Sequence, residues 1–190
     1  MKLIINADDF GLSKATNTAV VELAGLATLS STTVMVNMPF AAEIIELQKL
    51  KGFGIGLHFN LTQGKPVSRL DQIPSLVNDD GSFYPINEFK RRIQKKLIDA
   101  EHIATELKAQ FELLKEWIGD RVDHIDSHQD INKQSIVSNV LCDFSKTLSN
   151  RIGLRVYNKV YLSSDSKLTH PGMTNVFTYG MSRSIKEIYF

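Results

Sequence analysis

Three short clusters of acidic and imidazole side chains stand out in this 190-residue sequence, and each lies at the end of an apolar, strand-like run. The clusters are Asn6-Ala7-Asp8-Asp9, His58-Phe59-Asn60 and His124-Ile125-Asp126-Ser127-His128. Carboxylate oxygens and imidazole nitrogens together form the ligand set of Zn²⁺ and similar divalent ions. Two adjacent carboxylates at the end of an apolar strand are costly unless a cation or hydrogen bonds satisfy them. The residue types therefore predict a metal site, if the fold brings the clusters together.

Each cluster taken alone has a simpler explanation. An Asp-Asp pair is commonly a capped turn, and a single histidine at a strand end is commonly a hydrogen-bonded structural residue. Side chains alternate along a strand, so His124, Asp126 and His128 would share one face if the strand continued that far. Only the occurrence of all three clusters at strand ends of one sheet favours the metal site.

Short strand-like runs alternate with longer helical runs, an order that predicts a parallel α/β sheet with right-handed crossovers. The predicted strands cover residues 3–7, 30–37, 54–61, 122–126 and 155–157, and the predicted helices cover residues 15–26, 42–50, 89–118 and 133–148. Residues 62–87 hold three of the five prolines and predict a long loop that is either functional or mobile. Because the carboxyl ends of parallel strands converge on one face of a sheet or barrel, the three clusters would meet there.

Two of the helical runs carry more detailed expectations. Ser13 is predicted to cap the first helix. Four residues at helical spacing define the expected buried face of that helix: Ala15, Ala19, Leu23 and Leu26. The apolar pattern of residues 89–118 fits either one long helix or two helices that meet near Asp99.

Composition and charge exclude several classes of protein. Apolar residues make up 43% of the chain and charged residues 23%, as in ordinary globular domains. No apolar run has the length that a membrane-spanning helix needs, so no membrane partner is predicted. The 22 basic and 21 acidic residues nearly balance, so no nucleic-acid partner is predicted either. The carboxylates at positions 8 and 9 come too early for the apolar core of a signal peptide. A single cysteine cannot form an internal disulfide. We therefore expect one cytoplasmic domain over residues 1–190.

Four sequence motifs carry a resemblance to a known family. They are NADDFGLS at residues 6–13, STTVMVNMP at 31–39, GIGLHFNLTQGKP at 54–66 and HIDSHQ at 124–129. In this order they resemble the YdjC/ChbG-like carbohydrate deacetylases. The resemblance implies a distorted (β/α) barrel of parallel strands, like that of the polysaccharide deacetylases, with one divalent metal ion, Mg²⁺ or Zn²⁺. It also implies removal of acetyl groups from small N-acetylated sugars such as diacetylchitobiose and other chitooligosaccharides.

The resemblance further implies a role for individual residues. Asp9, His58 and His128 match the metal ligands of the family, and Asp8 matches a neighbouring carboxylate that would act as general base. Four further residues would orient the ligands or contact the sugar: His124, Asp126, Asn60 and Thr62. No residue is assigned to an organic cofactor.

The length of the chain adds two expectations. A complete eight-stranded barrel needs about 250 residues, so a chain of 190 residues is expected to lack the last barrel strands. An open barrel exposes a strand edge and apolar surface, which favours either self-association into a homo-oligomer or instability. His170, in a His-Pro-Gly segment, is a candidate for the acid that protonates the departing amine.

Two alternatives to a deacetylase stay open from the sequence. Asp130 stands where the family continues with further histidines, and the chain of 190 residues is short for a complete barrel. Both differences are compatible with a catalytically inactive, truncated relative that binds metal or sugar without turnover. Another metal hydrolase, such as a phosphoesterase, is the second alternative. It is less favoured because the sequence has no Gly-rich loop that would surround a phosphate.

Overall fold

The computed structural model describes residues 4–148 and 152–155 of the chain. Five strands form one parallel sheet: β1 (Asn6–Phe10), β2 (Ser31–Val34), β3 (Gly54–Phe59), β4 (Val122–Ser127) and β5 (Gly153–Leu154). Each strand pairs with the next strand along the chain. Because each new strand is added at the same edge of the sheet, right-handed crossovers place all the connecting helices on one side of it. The other side is then an inner face, and the predicted α/β class with a barrel-like arrangement of parallel strands is confirmed.

The sheet is strongly curved. Arg155 directly follows β5, and its guanidinium lies 2.8 Å and 2.6 Å from the two carboxylate oxygens of Asp8 on β1. Four strand spacings in a flat sheet would separate β1 from β5 by about 19 Å, which is further than these two side chains reach together. The first and fifth strands therefore curl toward each other, as the strands of a barrel do.

The two faces of the sheet differ in chemistry. Every second residue of β3 is apolar, fully buried and part of the hydrophobic core; these are Ile55, Leu57 and Phe59. Gly56 and His58 alternate with them, and His58 lies beside Asp126 of β4. The inner face therefore carries glycine, imidazole and carboxylate groups, whereas the apolar face packs in the core.

The helix α1 (Lys14–Gly25) begins as predicted but buries a different face. Ser13 caps it and accepts a hydrogen bond from the backbone nitrogen of Thr16. The buried residues are Asn17, Val20 and Ala24, and Leu26, which was predicted to be buried, is 75% exposed. The prediction of the face was wrong because the Asn17 side chain turns inward, where it accepts a hydrogen bond from Gly11 and donates to the carbonyl of Phe40.

The remaining elements follow the predicted order with two differences. The predicted helix over residues 42–50 is a 3₁₀ segment, Ala41–Lys49. The run over residues 89–118 forms two helices, α2 (Ile86–Gln94) and α3 (Ala100–Ile118), and Asp99 caps the second of them. The last helix is α4 (Ser135–Thr147). Within the described part of the chain, none of the helices is both long and apolar enough to cross a membrane.

The predicted fifth strand lies partly outside the described residues. The structure places β5 at Gly153–Leu154, so Arg155 follows the strand instead of starting it. Residues 156 and 157 lie outside the described residues, as does His170.

Gly56 provides a test of the close packing on the inner face. A Cβ atom at this position would lie 2.6 Å from ring atoms of His124. Since overpacking of a filled site is destabilising, we expect Gly56→Ala to lower the free energy of unfolding by about 1–3 kcal/mol, measured by urea unfolding. Gly25→Ala is the matched control, because a Cβ there meets nothing within 4 Å. Equal unfolding midpoints for the two variants would contradict the prediction.

Candidate metal centre

Asp8 and Asp9 lie within β1 and not after it, because the strand begins three residues later than predicted. The pairing of β1 with β2 shifts between Ala7 and Phe10, and Asp9 has a φ of 62°. This left-handed conformation is uncommon for a residue other than glycine. Adjacent side chains of a regular strand point to opposite faces. The irregularity allows Asp8 and Asp9 both to contact residues of the more distant strands.

Asp9, His58 and His128 form a compact cluster. The Asp9 Oδ1 atom lies 3.1 Å from Nε2 of His58 and 2.9 Å from Nδ1 of His128. One ligand atom from each residue lies within 4.8 Å of the others. Both histidines are buried, and Asp9 is partly exposed. The structure thus brings together the three residues that were predicted as metal ligands.

His128 reaches this cluster through a turn. β4 ends at Ser127, so the condition for His124, Asp126 and His128 to share one strand face is not met. The two residues after His128 adopt left-handed conformations, with φ values of 51° at Gln129 and 55° at Asp130. The Asp130 side chain pairs with Lys133 at 2.6 Å.

Asp126 lies behind His58 and fixes its ring. The Asp126 Oδ1 atom lies 2.5 Å from Nδ1 of His58, and Thr33 donates a hydrogen bond to the other oxygen at 3.1 Å. A carboxylate on the far nitrogen of a histidine is the usual arrangement around metal-binding imidazoles. Asp126 therefore occupies the position expected of a residue that orients a ligand.

A second acidic group, formed by Asp8, His58 and Asp126, also has the spacing of a metal site. It already contains a cation, because the Arg155 guanidinium contacts both oxygens of Asp8 and lies 3.1 Å from Oδ2 of Asp126. The carboxylates of Asp8, Asp9 and Asp126 carry three negative charges, and Arg155 carries one positive charge, which leaves two negative charges. The side of the cluster at Asp9 fits a divalent cation in both charge and donor type.

The negative charge of the cluster is reflected in its pKa values. Burial by itself lowers the pKa of His58, but hydrogen bonds with Asp126 and Asp9 and the charges of Asp126 and Asp8 raise it to about 9. Hydrogen bonds from His128 and then from His58 hold the pKa of Asp9 well below its usual range. Metal binding displaces protons from its ligands. The proton on His58 therefore provides the positive charge that a metal ion would otherwise provide at this position.

His124 is placed apart from these contacts. Its ring packs against Gly56, and its Nδ1 atom lies 2.5 Å from Oδ1 of Asp123. Among residues 4–148 and 152–155, its Nε2 atom is buried and has no hydrogen-bond partner. The predicted role of His124 in orienting a metal ligand stays a prediction.

Asn60 and Thr62 shape the loop that follows β3. The Asn60 Oδ1 atom accepts hydrogen bonds from the backbone nitrogens of Thr62 and Gln63, at 3.0 Å and 3.1 Å. The Thr62 hydroxyl donates to the side chain of Gln129 at 3.0 Å. Asn60 is fully buried, so its contacts are with the protein. A contact of Asn60 or Thr62 with a sugar stays a prediction.

Two buried polar residues on α3, missed by the sequence analysis, anchor the same loop. Gln110 donates a hydrogen bond to the carbonyl of Asn60 at 2.7 Å and accepts one from its nitrogen at 3.2 Å. Glu106 accepts hydrogen bonds from the nitrogens of Val67 and Ser68, both at 2.9 Å. Both residues are fully buried on the apolar side of α3. Polar residues among the apolar positions of a helix were the available sequence signal.

Arg155 and Gln63 were also missed. Arg155 lies at the carboxyl end of β5, the same kind of position that identified the three clusters, but a two-residue strand gives too little pattern to locate that end. Gln63 lies in the loop after β3 and contacts His128 through its side chain. No spacing rule identifies such a loop residue.

Comparison with known proteins places the chain in a family. The model of the YdjC-like protein family matches residues 2–187. The chain is 36% identical to "Carbohydrate deacetylase 2" of Listeria innocua over 168 residues, which cover 83% of this chain and 60% of that protein. It is 35% identical to the "Chitooligosaccharide deacetylase" of Serratia marcescens over 190 residues, which cover 99% of this chain and 72% of that protein.

A solved structure shows the same similarity in three dimensions. It is that of a "putative cellobiose-phosphate cleavage protein" from Enterococcus faecalis V583, with a TM-score of 0.72 and 29% sequence identity. The match covers 87% of this chain and 61% of the other. The chain spans 60% of the Listeria relative and 53% of a Thermoanaerobacter pseudethanolicus "Carbohydrate deacetylase", to which it is 36% identical over 71% of its own length. With a family match over nearly all of its residues, the chain belongs to the YdjC-like protein family.

Proposed function

We propose that this chain is a metal-dependent hydrolase that removes acetyl groups from small N-acetylated sugars of the chitooligosaccharide type. The observation that carries the proposal is the cluster of Asp9, His58 and His128, with the Asp8 carboxylate next to it in the chain. The names of the Listeria and Serratia relatives support the choice of reaction and substrate. The phosphoesterase alternative is less favoured, because the sequence has no Gly-rich loop that would surround a phosphate.

Asp9, His58 and His128 would hold one divalent ion, Mg²⁺ or Zn²⁺. Such an ion, when bound, lowers the pKa of a water molecule and polarises the carbonyl group of an amide. Asp126 holds the ring of His58 by a hydrogen bond to Nδ1, so that Nε2 faces Asp9 and the cluster.

Asp8 would act as the general base that accepts a proton from the attacking water. Its side chain is 38% exposed, so a water molecule can reach it. Arg155 donates hydrogen bonds to both of its oxygens, and this two-point contact fixes the orientation of the carboxylate. This contact supports a defined orientation of Asp8 beside the proposed metal ligands.

The proposal is tested by incubation of the purified chain with diacetylchitobiose and Mg²⁺ or Zn²⁺, and by measurement of released acetate. We expect acetate release that depends on the metal ion and that is lost in Asp9→Ala. Release no greater than that of Asp9→Ala, across several metals and N-acetylated sugars, would refute the proposal. Calorimetric binding of the sugar without release of acetate would instead support a relative that binds without turnover.

A further inference from the structure

We infer that Gln63 is a positioning residue that fixes the tautomer of His128 and presents its Nδ1 atom to the metal ion. The inference rests on the proposed metal site and deepens it. Asp126, which was expected from the sequence, acts on His58 only. Gln63, in the loop after β3, would orient the ring of His128 as Asp126 orients the ring of His58.

The geometry around His128 supports this assignment. The Nε2 atom lies 3.0 Å from Oε1 of Gln63, and the Nδ1 atom lies 2.9 Å from Oδ1 of Asp9. A neutral imidazole carries one N–H group and one lone pair, and an amide oxygen can only accept a hydrogen bond. The contact with Gln63 therefore favours a proton on Nε2, and a metal ion would take the place of the hydrogen that Nδ1 shares with Asp9.

The two histidines then present opposite ring nitrogens. His58 places its Nδ1 atom on Asp126 and directs Nε2 to Asp9. His128 places its Nε2 atom on Gln63 and directs Nδ1 to Asp9. The hydrogen bond on the far nitrogen determines which nitrogen is available in each ring.

The main chain of Gln63, and not its side chain, holds the loop in place. Its nitrogen donates to Asn60 at 3.1 Å, and its carbonyl accepts from Asn37 at 2.9 Å and from Asn60 at 2.7 Å. Gln110 of α3 in turn binds the main chain of Asn60. A substitution of the Gln63 side chain leaves these bonds intact, so it isolates the contact with His128.

The test is the affinity of the full chain for Zn²⁺ and Co²⁺, measured by competition with a chelator and without substrate. We expect Gln63→Leu to weaken binding about 10–100-fold, as loss of a partner behind a ligand commonly does. We expect Gln63→Glu to bind at least as tightly as the original chain, because a carboxylate accepts the same N–H. Gln72→Leu makes the same change at an exposed position and should leave the affinity unchanged.

A second measurement uses the original chain alone. Nitrogen NMR of the Zn²⁺-loaded protein should show a protonated Nε2 and a ligated Nδ1 at His128. Ligation through Nε2, or a Gln63→Leu variant that binds as tightly as the original chain, would overturn the inference while leaving the metal site in place. Failure of the original chain to bind any divalent ion would overturn both the inference and the proposed function.

Discussion

Asp9→Asn is expected to lose both divalent-metal binding and acetate release, whereas Asp8→Asn should lose only acetate release. Asp9 contacts both histidines of the cluster, so its neutralisation removes the only carboxylate among the three ligands. We expect its effect on metal affinity to exceed the roughly 10–100-fold loss that follows removal of a partner behind a ligand. Asparagine tolerates a positive φ, so the conformation at residue 9 adds no separate strain.

Asp8→Asn acts on a different step. The Asp8 carboxylate contacts Arg155 and Asn6. We expect kcat to fall about 10²–10⁴-fold, as for removal of a general base, while metal affinity changes little. The measurements are calorimetric titration with Zn²⁺ and acetate release from diacetylchitobiose.

Asp143→Asn is the matched control for both variants, since it neutralises a carboxylate that is 76% exposed on α4. Normal metal binding by Asp9→Asn would show that the ligand assignment is wrong. Undiminished turnover by Asp8→Asn would show that the base lies elsewhere. Loss of metal binding in Asp8→Asn would instead favour the second acidic group as the metal site.

Arg155→Met is expected to impair both stability and turnover. The change leaves Asp126, whose side chain has 0% exposure, without the cation that faces its Oδ2 atom. Removal of one partner of a buried ion pair costs about 3–5 kcal/mol. Because Asp8 is 38% exposed and screened by water, we expect a smaller loss of about 1–3 kcal/mol in the free energy of unfolding. Release of Asp8 from its fixed orientation should lower kcat about 10–100-fold.

Urea unfolding and acetate-release kinetics test this prediction. Arg155→Lys keeps the charge but lacks the two-point geometry of a guanidinium, so it should recover stability better than turnover. Arg91→Met removes an exposed arginine that pairs with Glu88, and its unfolding midpoint should equal that of the original chain. An Arg155→Met variant that is as stable and as active as this control would contradict the prediction.

The sequence located the candidate metal site because a topological rule applies to it. Carboxyl ends of parallel strands meet on one face, and this predicted that the three clusters lie together. The resemblance to the family then selected Asp9, His58 and His128 within them. The rule could not predict the backbone conformations through which these residues come into contact. The left-handed conformation of Asp9 and the turn after His128 are local backbone features, and the spacing of apolar residues carries no information about them.

The errors in the fold have a similar origin. Apolar spacing predicted the wrong face for α1 because a buried amide, Asn17, determines that face through hydrogen bonds. Glu106 and Gln110 were overlooked on α3 because polar residues were assumed to be exposed. In each case a buried polar group gains from a specific partner, and that partner is distant in sequence.

The contact between Arg155 and Asp8 joins residues 147 positions apart. Contacts of such long sequence separation are slow to form, because closing a long loop costs entropy. A nascent chain that has emerged as far as the turn after β4 already contains Asp9, His58 and His128, but not Arg155, which contacts Asp8. Under the proposed function, the metal ligands are thus synthesised before the residue that orients the general base. Docking of the fifth strand would then be the step that completes the site.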